Sequence, residues 1–433
     1  MKKLRLITLL VLGVVFIRCS SASYDEVEPT VLSGEAVLKQ IVFSYKKSLF
    51  NAQVEGEQVI IQRKIPLDAL LLDVASMQLS PGATSTVKVG QSIDCSGVLS
   101  TILVTAEDGK TTKTYTLKYN KLKFSSAVDY FGKLKVAGNK ILGDNDLAVS
   151  LAGNSFFWSN NDWGGNRFYN ESVVQWLKID WGSTIVRAAM GVEDAGGYLQ
   201  KKDDNLKRVE TLVDAAIKLG LYVIIDWHSH YAHLYEQDAI DFFQKMAHKY
   251  GGYDNVIYEI YNEPKYVDAT PANDGKFATW NEHIKPYAEK VIAAIRAIDP
   301  DNLIVVGTGE WSQKVDDASA NPIDGFDNIA YALHFYSINH KQWLRDRASA
   351  ALKAGLPLVV TEWGAVGDSQ NDPETQSWMA WCKTNQLIHC SWAVNDKPEP
   401  WSIVKQDVGI NGQWLDSQLT ESGKLSRDII RNW

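Results

Sequence analysis

Cysteine is scarce in this chain. Four occur in 433 residues, Cys19, Cys95, Cys382 and Cys390, too few and too scattered for a disulfide framework or a cysteine-based zinc site; Cys382 and Cys390 read as core residues. Also missing is any run of five or more Lys/Arg. With 44 basic against 52 acidic residues the formal charge is −8, so the chain lacks the positive field that nucleic-acid phosphates require and nucleic acid is excluded as a partner. Tryptophan is absent from the first 157 positions, and all 15 lie between Trp158 and Trp433. The composition, 45% apolar and 22% charged, is that of a globular protein, but the tryptophan skew says that its two parts do different work.

The N-terminus carries Lys2, Lys3 and Arg5, then a largely apolar run of 12 residues from Leu6 to Ile17, then Arg18-Cys19-Ser20-Ser21. A run of that length is too short to span a bilayer as a helix and has the dimensions of a signal-peptide core. The segment 1–19 resembles a bacterial lipoprotein signal, which implies acylation of Cys19 and an outer-membrane or cell-surface location, with membrane contact only through the lipid. An ordinary secretory signal cleaved near Ala22 is the alternative. Either takes the protein out of the cytoplasm. Residues 20–33, polar and acidic at their start, suit a solvated tether.

From 34 to 120 the pattern is short β-rich runs: 59–65, 101–107 and 111–119, the last two joined by Asp108-Gly109, a strong hairpin signal. Tyr115, Leu117 and Tyr119 recur at a period of two. Such runs without helical periodicity predict a small all-β sandwich, and the stretch VTAEDGKTTKTYTLKY resembles the final hairpin of immunoglobulin-like modules of Bacteroidetes surface proteins. The unit has no tryptophan to offer a sugar, so it reads as a spacer or docking module.

After about residue 121 the pattern becomes eight apolar β-rich runs, 147–153, 184–190, 221–227, 256–262, 303–309, 329–335, 357–363 and 388–394, separated by amphipathic helices. One helix carries Leu206, Val209, Leu212, Val213, Ala216, Ile217 and Leu219 at helical spacing, with Gly220 as its C-terminal stop. Another carries Tyr287, Val291, Ile292, Ile295 and Ile298 and stops at Asp299-Pro300. Eight near-continuous apolar strands alternating with helices predict parallel pairing closed into an α/β (β/α)8 barrel over 121–433. A hairpin over 134–142, turning at Gly138-Asn139, is expected to close the barrel bottom.

Reactive groups of such barrels stand at the C-terminal ends of the strands. Here those ends carry Arg187, Asp226-Trp227-His228, Asn262-Glu263, His334 with Tyr336, Glu362 and Trp392. Two carboxylates on strands four and seven fit the pair that breaks a glycosidic bond, one protonating the leaving oxygen and the other attacking the anomeric carbon. Arg187 and the Tyr336 hydroxyl are expected to hold Glu362 ionised, while the less compensated Glu263 stays protonated.

The stretches LGLYVIIDWHSH, NVIYEIYNEP, YALHFY, LPLVVTEWG and SWAVNDK, with WLKIDWGSTIVRAAMGVEDAGGYL and IKPYAEKVIAAIRAIDPDNLIVVGTGEWSQ, resemble glycoside hydrolase family 5, in particular its bacterial endo-β-1,4-glucanases. The resemblance implies a retaining mechanism on a β-glucan substrate, no cofactor and no metal, with Glu263 as acid/base and Glu362 as nucleophile. It implies carboxyl groups about 5–5.5 Å apart, Arg187 supporting the nucleophile, Asn262 on the sugar 2-hydroxyl, and His228, His334, Tyr336 and the stacking Trp392 as substrate-binding residues. Lys397 and Glu399 follow the eighth strand where family members hold distal hydroxyls. Trp158 and Trp311 join Trp392 as candidate sugar platforms, since an indole face packs against the C–H face of a pyranose. Trp227 and Trp363 stand at strand ends as either platforms or wall residues. One departure is the segment after the first strand, where related glucanases often carry a histidine-containing sequence and this chain has Gly153-Asn154-Ser155-Phe156-Phe157-Trp158.

Other readings weigh against this one. His228-Ser229-His230, with His233 nearby, has the look of a metal-ligand cluster, although no carboxylate-and-histidine set completes it. A β-mannanase, or a mixed-linkage or xyloglucan-cleaving glucanase, would use the same barrel, the choice resting on the loops 159–166 and 267–275. A non-catalytic glycan-binding lipoprotein would bind sugar without cutting it.

Overall fold

A computed structural model describes residues 31–122, 124–268, 275–365 and 372–433. The expected signal with Cys19, most of the tether, and the middle of the 267–275 loop lie outside the described residues. No helix among the described residues is long and apolar enough to cross a membrane.

The first part forms one sheet of eight strands: β1 (Leu38–Tyr45), β2 (Ser48–Glu55), β3 (Gln58–Ile61), β4 (Leu71–Leu79), β5 (Thr84–Ser85), β6 (Ser92–Asp94), β7 (Thr101–Thr105) and β8 (Thr112–Lys118). Their order is β5-β7-β8-β3-β2-β1-β4-β6; only β3 and β8 pair in parallel. Period-two alternation drives one side inward: Tyr115 and Leu117 are buried beside Ile41, Phe43, Phe50, Val59, Leu72, Ile102 and Val104 in a core of the sheet's own. The β7–β8 turn falls at Asp108-Gly109, with Gly109 at φ +67° and Asp108 Oδ1 accepting the amides of Lys110 and Thr111, both at 2.8 Å. The run expected over 59–65 ends as a strand at Ile61, because Arg63 turns away to the second part of the molecule. There its Nη2 donates to Ile179 O at 2.6 Å, and Ile65 instead bridges to Lys121.

The second part is a closed barrel of eight parallel strands in chain order. They are β11 (Ala152–Phe156), β12 (Ile185–Gly191), β13 (Tyr222–His228), β14 (Val256–Glu259), β15 (Ile304–Val306), β16 (Ile329–Tyr336), β17 (Leu358–Gly364) and β18 (His389–Val394), preceded by a hairpin of β9 (Lys135–Ala137) and β10 (Lys140–Leu142). Leu134 and Ile141 of the hairpin pack into the cluster formed by Ile185, Ile224, Ile257, Val305, Val359 and Cys390, which plugs the N-terminal end of the barrel. Two residues further along the same strands the inward positions become Arg187, Asp226, Glu259 and Thr361, all buried. The period of two that builds the apolar plug thus also delivers a polar layer directly above it.

Seven barrel strands overlap their expected runs closely, but the first does not. The segment 147–149 returns against the hairpin, Val149 N donating to Ile141 O at 2.9 Å, and the strand is the polar run AGNSF. Gly153 is required there, since a Cβ would lie 1.7 Å from Ile185 O. The helix Lys202–Leu219 ends at Gly220 in the left-handed region (φ +67°), as its spacing predicts. Trp227 and Trp363 prove to be wall residues: both are fully buried, the first against Tyr198, Phe242 and Phe243, the second against Phe335.

The two parts meet at Asp180, buried at the end of an irregular helix. Its Oδ1 accepts from Ser48 Oγ of the sheet at 2.7 Å and from Arg431 Nη2 of the last helix at 2.8 Å, with Arg63 Nη1 at 3.4 Å.

Candidate active site

Arg187, central on β12, is fully buried and fans its five N–H groups over the strand ends. Nε donates to Glu259 Oε2 at 2.7 Å, Nη1 to Glu362 Oε2 at 3.1 Å and to Ser155 Oγ at 3.2 Å, Nη2 to Asn262 Oδ1 at 2.7 Å, and Asp226 Oδ2 lies 3.0 Å from Nη2. One guanidinium therefore orients residues from β11, β13, the β14 end and β17 at once. The Tyr336 hydroxyl donates to the other oxygen of Glu362 at 2.5 Å.

Glu263, the second carboxylate, faces two imidazoles: Oε1 is 2.9 Å from His334 Nδ1 and Oε2 is 3.2 Å from His230 Nε2. Ligand atoms of Glu263, His334 and Glu362 all lie within 4.8 Å of one another, so the two carboxylates converge on one space. These are the three residues among the described ones that come together as a metal site would, but each atom already shares a proton with a neighbour. The histidine triplet singled out as a metal alternative does not converge at all: His228 Nδ1 turns to Asp226 at 2.6 Å, His230 to Glu263, and His233 to Tyr261 Oη and Val267 O.

Proton positions follow from the hydrogen bonds. Thr361 Oγ1 donates its one hydrogen to Glu259 Oε1 at 2.7 Å, so His334 Nε2, 2.8 Å from Thr361 Oγ1, must itself be the donor. The Nδ1 contact to Glu263 then holds a further proton between the two residues. Burial pulls His334 down, but the polar contacts with Glu259 and Glu263 and the charges of Glu362 and Glu263 prevail and push it up to about 9. Burial likewise opposes ionisation of Glu263, yet the hydrogen bonds from His230 and His334 bring it down to about 2. Glu362 is raised by burial and by the neighbouring Glu263 charge, against the pull of His334 and Arg187. The directions run against the expectation that Glu263 is the more readily protonated carboxylate: Glu263 is lowered and Glu362 raised, and the proton of the Glu263–His334 pair is shared between the two residues. The reason is that Glu263 accepts from two imidazoles, while Glu362 is buried beside the Glu263 charge and has Arg187 only as a counter-charge shared with Asp226 and Glu259.

The walls come from opposite strands. On the β11 and β18 side, Trp392 lies parallel to the His228 ring at 5.1 Å and 5.5 Å from Phe157; Trp158 meets His228 edge-on at 4.2 Å and Trp163 at 5.4 Å. Burial and the Arg187 charge keep His228 neutral. Lys397 reaches over Phe157 and Trp163, 4.3 and 5.7 Å from their ring centres, and approaches Glu399 at 3.9 Å. Across the barrel, Trp311 follows β15, its N donating to Pro264 O at 3.1 Å and its ring against Tyr266 and Phe277. Every described site residue named from the sequence thus lies on this face. Sequence reasoning missed Glu259, Thr361, Ser155, Trp163 and the role of His230 beside Glu263. For Glu259 a signal existed, an acid inside the apolar run VIYEIY; Thr361 and Ser155 carry none.

A (β/α)8 barrel with two converging carboxylates, a buried arginine layer and tryptophan walls defines a glycoside hydrolase centre. The chain belongs to glycosyl hydrolase family 5: residues 142–398 match the model of that family, described as cellulase. It is similar to Endoglucanase Z of Dickeya dadantii, 51% identical over 305 residues, which are 69% of this chain and 66% of that protein. It is also similar to an endoglucanase of Clostridium saccharobutylicum, 39% identical over 319 residues, 72% and 68% of the two chains. The chain thus spans about two thirds of the length of these relatives. Among solved structures, one from Cytophaga hutchinsonii superposes with a TM-score of 0.65 at 46% identity, covering 71% of this chain and 97% of that one. The catalytic domain of Thermobifida fusca endoglucanase Cel5A in complex with cellotetraose does so with a TM-score of 0.63 at 29% identity, covering 70% and 99%.

Proposed function

We propose that this protein is a retaining endo-β-1,4-glucanase that cuts internal bonds of cellulose-type glucan. The observation carrying the proposal is the convergence of Glu263 and Glu362 across one space, a carboxylate oxygen of each lying within 4.8 Å of the other, which favours the closely spaced pair of direct attack over the wider pair that admits a water. Glu362, oriented by Arg187 and Tyr336, attacks the anomeric carbon; the bond to the leaving oxygen breaks, and that oxygen takes the proton held by the Glu263–His334 pair. Water then gives a proton back to Glu263, and its hydroxyl displaces Glu362 with configuration restored. Asn262, held by Arg187 through Oδ1, keeps its amide N–H groups for the 2-hydroxyl. Trp158, Trp311 and Trp392 serve as sugar platforms, with His228, Lys397 and Glu399 on hydroxyls. Residues 34–120 act as an immunoglobulin-like spacer, and lipid on Cys19 holds the enzyme outside the bacterial cell; stable attachment needs more than one acyl chain.

The test is reducing-end release from carboxymethyl-cellulose, mixed-linkage glucan, xyloglucan, xylan and mannan, with the anomer of the first product read by NMR. Carboxymethyl-cellulose should be cut with a rapid fall in viscosity and retained configuration. Preference for mannan, an inverted product, or sugar binding without cleavage would each refute the proposal.

A further inference from the structure

Among the 15 tryptophans one is exposed, Trp343, at 46% of its surface, and Ile338, five residues earlier in the chain, is exposed as well (53%). It opens the helix Gln342–Lys353 that follows β16, and so stands on the barrel face that carries the active site. Its surroundings are ordered. The Arg347 guanidinium lies over one face of the indole, 5.4 Å from its centre, and the His340 ring meets it edge-on at 5.8 Å, which leaves the opposite face to solvent. His340 in turn accepts the Tyr336 backbone N–H at Nδ1, 2.8 Å away, and the Tyr336 hydroxyl is on Glu362. On the other flank, Arg347 Nη1 donates to Gln313 O at 3.4 Å, two residues beyond Trp311. Trp343 is therefore linked to cleft residues on both sides, through His340 to Tyr336 and through Arg347 to the loop bearing Trp311.

We propose that the open face of Trp343 is a further platform for the glucan chain, beyond Trp311, engaged only by substrates long enough to pass over the rim between β15 and β16. The occupant is committed by those links. A polymer that leaves Glu263 and Trp311 on the Gln313 side runs toward Arg347 and the indole it braces, whose apolar face fits the C–H face of a β-linked pyranose. The braced ring loses little rotamer freedom on binding. The inference rests on the endo-glucanase reading.

The test compares Trp343→Ala and Trp343→Phe with the parent on cellotriose to cellohexaose and on carboxymethyl-cellulose, reading kcat and KM separately. The expected result is a rise in KM of about three- to tenfold on the longest oligosaccharides and the polymer, fading as the chain shortens, with kcat nearly constant and with rescue by Phe. An equal change at every length, no change in KM, or a change in oligomeric state in place of KM would overturn it, the last identifying a surface for a second protein copy. Should the parent enzyme cut none of these substrates, the glucanase reading itself fails, a result distinct from parent activity with no length dependence in the variants.

Discussion

His334 Nδ1 lies 2.9 Å from Glu263 Oε1 while its Nε2 is tied through Thr361 to Glu259, so one imidazole couples the Glu263 carboxylate to the buried arginine layer. With His334 raised to about 9, the pair keeps its proton across neutral pH and loses it above that value. The pH profile of kcat/KM on a soluble cello-oligosaccharide should therefore fall on the alkaline side near 9. Its acid limb, set by protonation of the raised Glu362, should lie above the usual carboxylate range. In His334→Gln the store is gone, and the alkaline limb should move acidward by at least about one pH unit. An unmoved limb would show that another group holds the proton.

The two carboxylates should answer differently to removal. Glu362→Gln keeps the shape but cannot form the covalent intermediate, and turnover of carboxymethyl-cellulose should drop by about 10³-fold or more. Glu263→Ala removes acid assistance, so polymer should lose about 10²–10⁴-fold while aryl cellobiosides with good leaving groups lose less. Equal losses on both substrates would count against the acid role.

Arg187 is the common partner of Glu259, Glu362, Asn262 and Asp226. Arg187→Lys supplies one ammonium in place of a planar fork and should lower kcat by about 10²-fold with a folded barrel. Arg187→Met strands several carboxylates in a buried layer, a loss on the order of 3–5 kcal/mol that denaturant titration would show. A Met variant as stable as the parent would mean that the layer relaxes by taking up protons or water.

The parts of this architecture that rest on side-chain period were readable in advance. Apolar runs alternating with helices gave seven of the barrel strands, and Gly220 stops its helix where the pattern says. The first strand was misplaced because close packing on Ile185 O demands Gly153, and the polar Asn154 and Ser155 beside it lie within the barrel wall, so nothing in AGNSF looks like a strand. Charge was the harder matter. Glu263 and Glu362 announce themselves at strand ends, but which of the site's groups holds the proton depends on Glu259 and Asp226 competing for Arg187 and on Thr361 linking His334 to Glu259. Those relations join β12, β13, β14, β16 and β17 in space and leave no mark in any one stretch of chain.

Asp180 joins the sheet to the barrel through Ser48, Arg63 and Arg431. Asp180→Ala should leave buried arginines without their acid and cost about 3 kcal/mol. Because the sheet has a core of its own, loss of the joint should split thermal unfolding into two transitions. Calorimetry decides the point, and one unaltered transition would mean that other contacts hold the parts together.

Acid should destabilise the barrel through a histidine away from the carboxylate pair. His389, at the start of β18, is fully buried; its Nδ1 accepts the Trp363 indole N–H at 3.0 Å, and Trp433 closes over it edge-on at 4.1 Å. Burial brings it down to about 3, against 6.5 for an unfolded histidine. The folded state therefore refuses a proton that the unfolded chain accepts. The contribution is fully present above about pH 6.5 and is lost progressively as pH falls toward 3, reaching about 2 kcal/mol at pH 5. His389→Leu removes the titration but orphans the indole N–H, so the variant should be less stable than the parent at pH 8 by about 1–3 kcal/mol. Between pH 8 and pH 5 it should then lose about 2 kcal/mol less than the parent does. Urea unfolding of both proteins at the two pH values measures that difference directly, and parallel losses would place the acid sensitivity elsewhere.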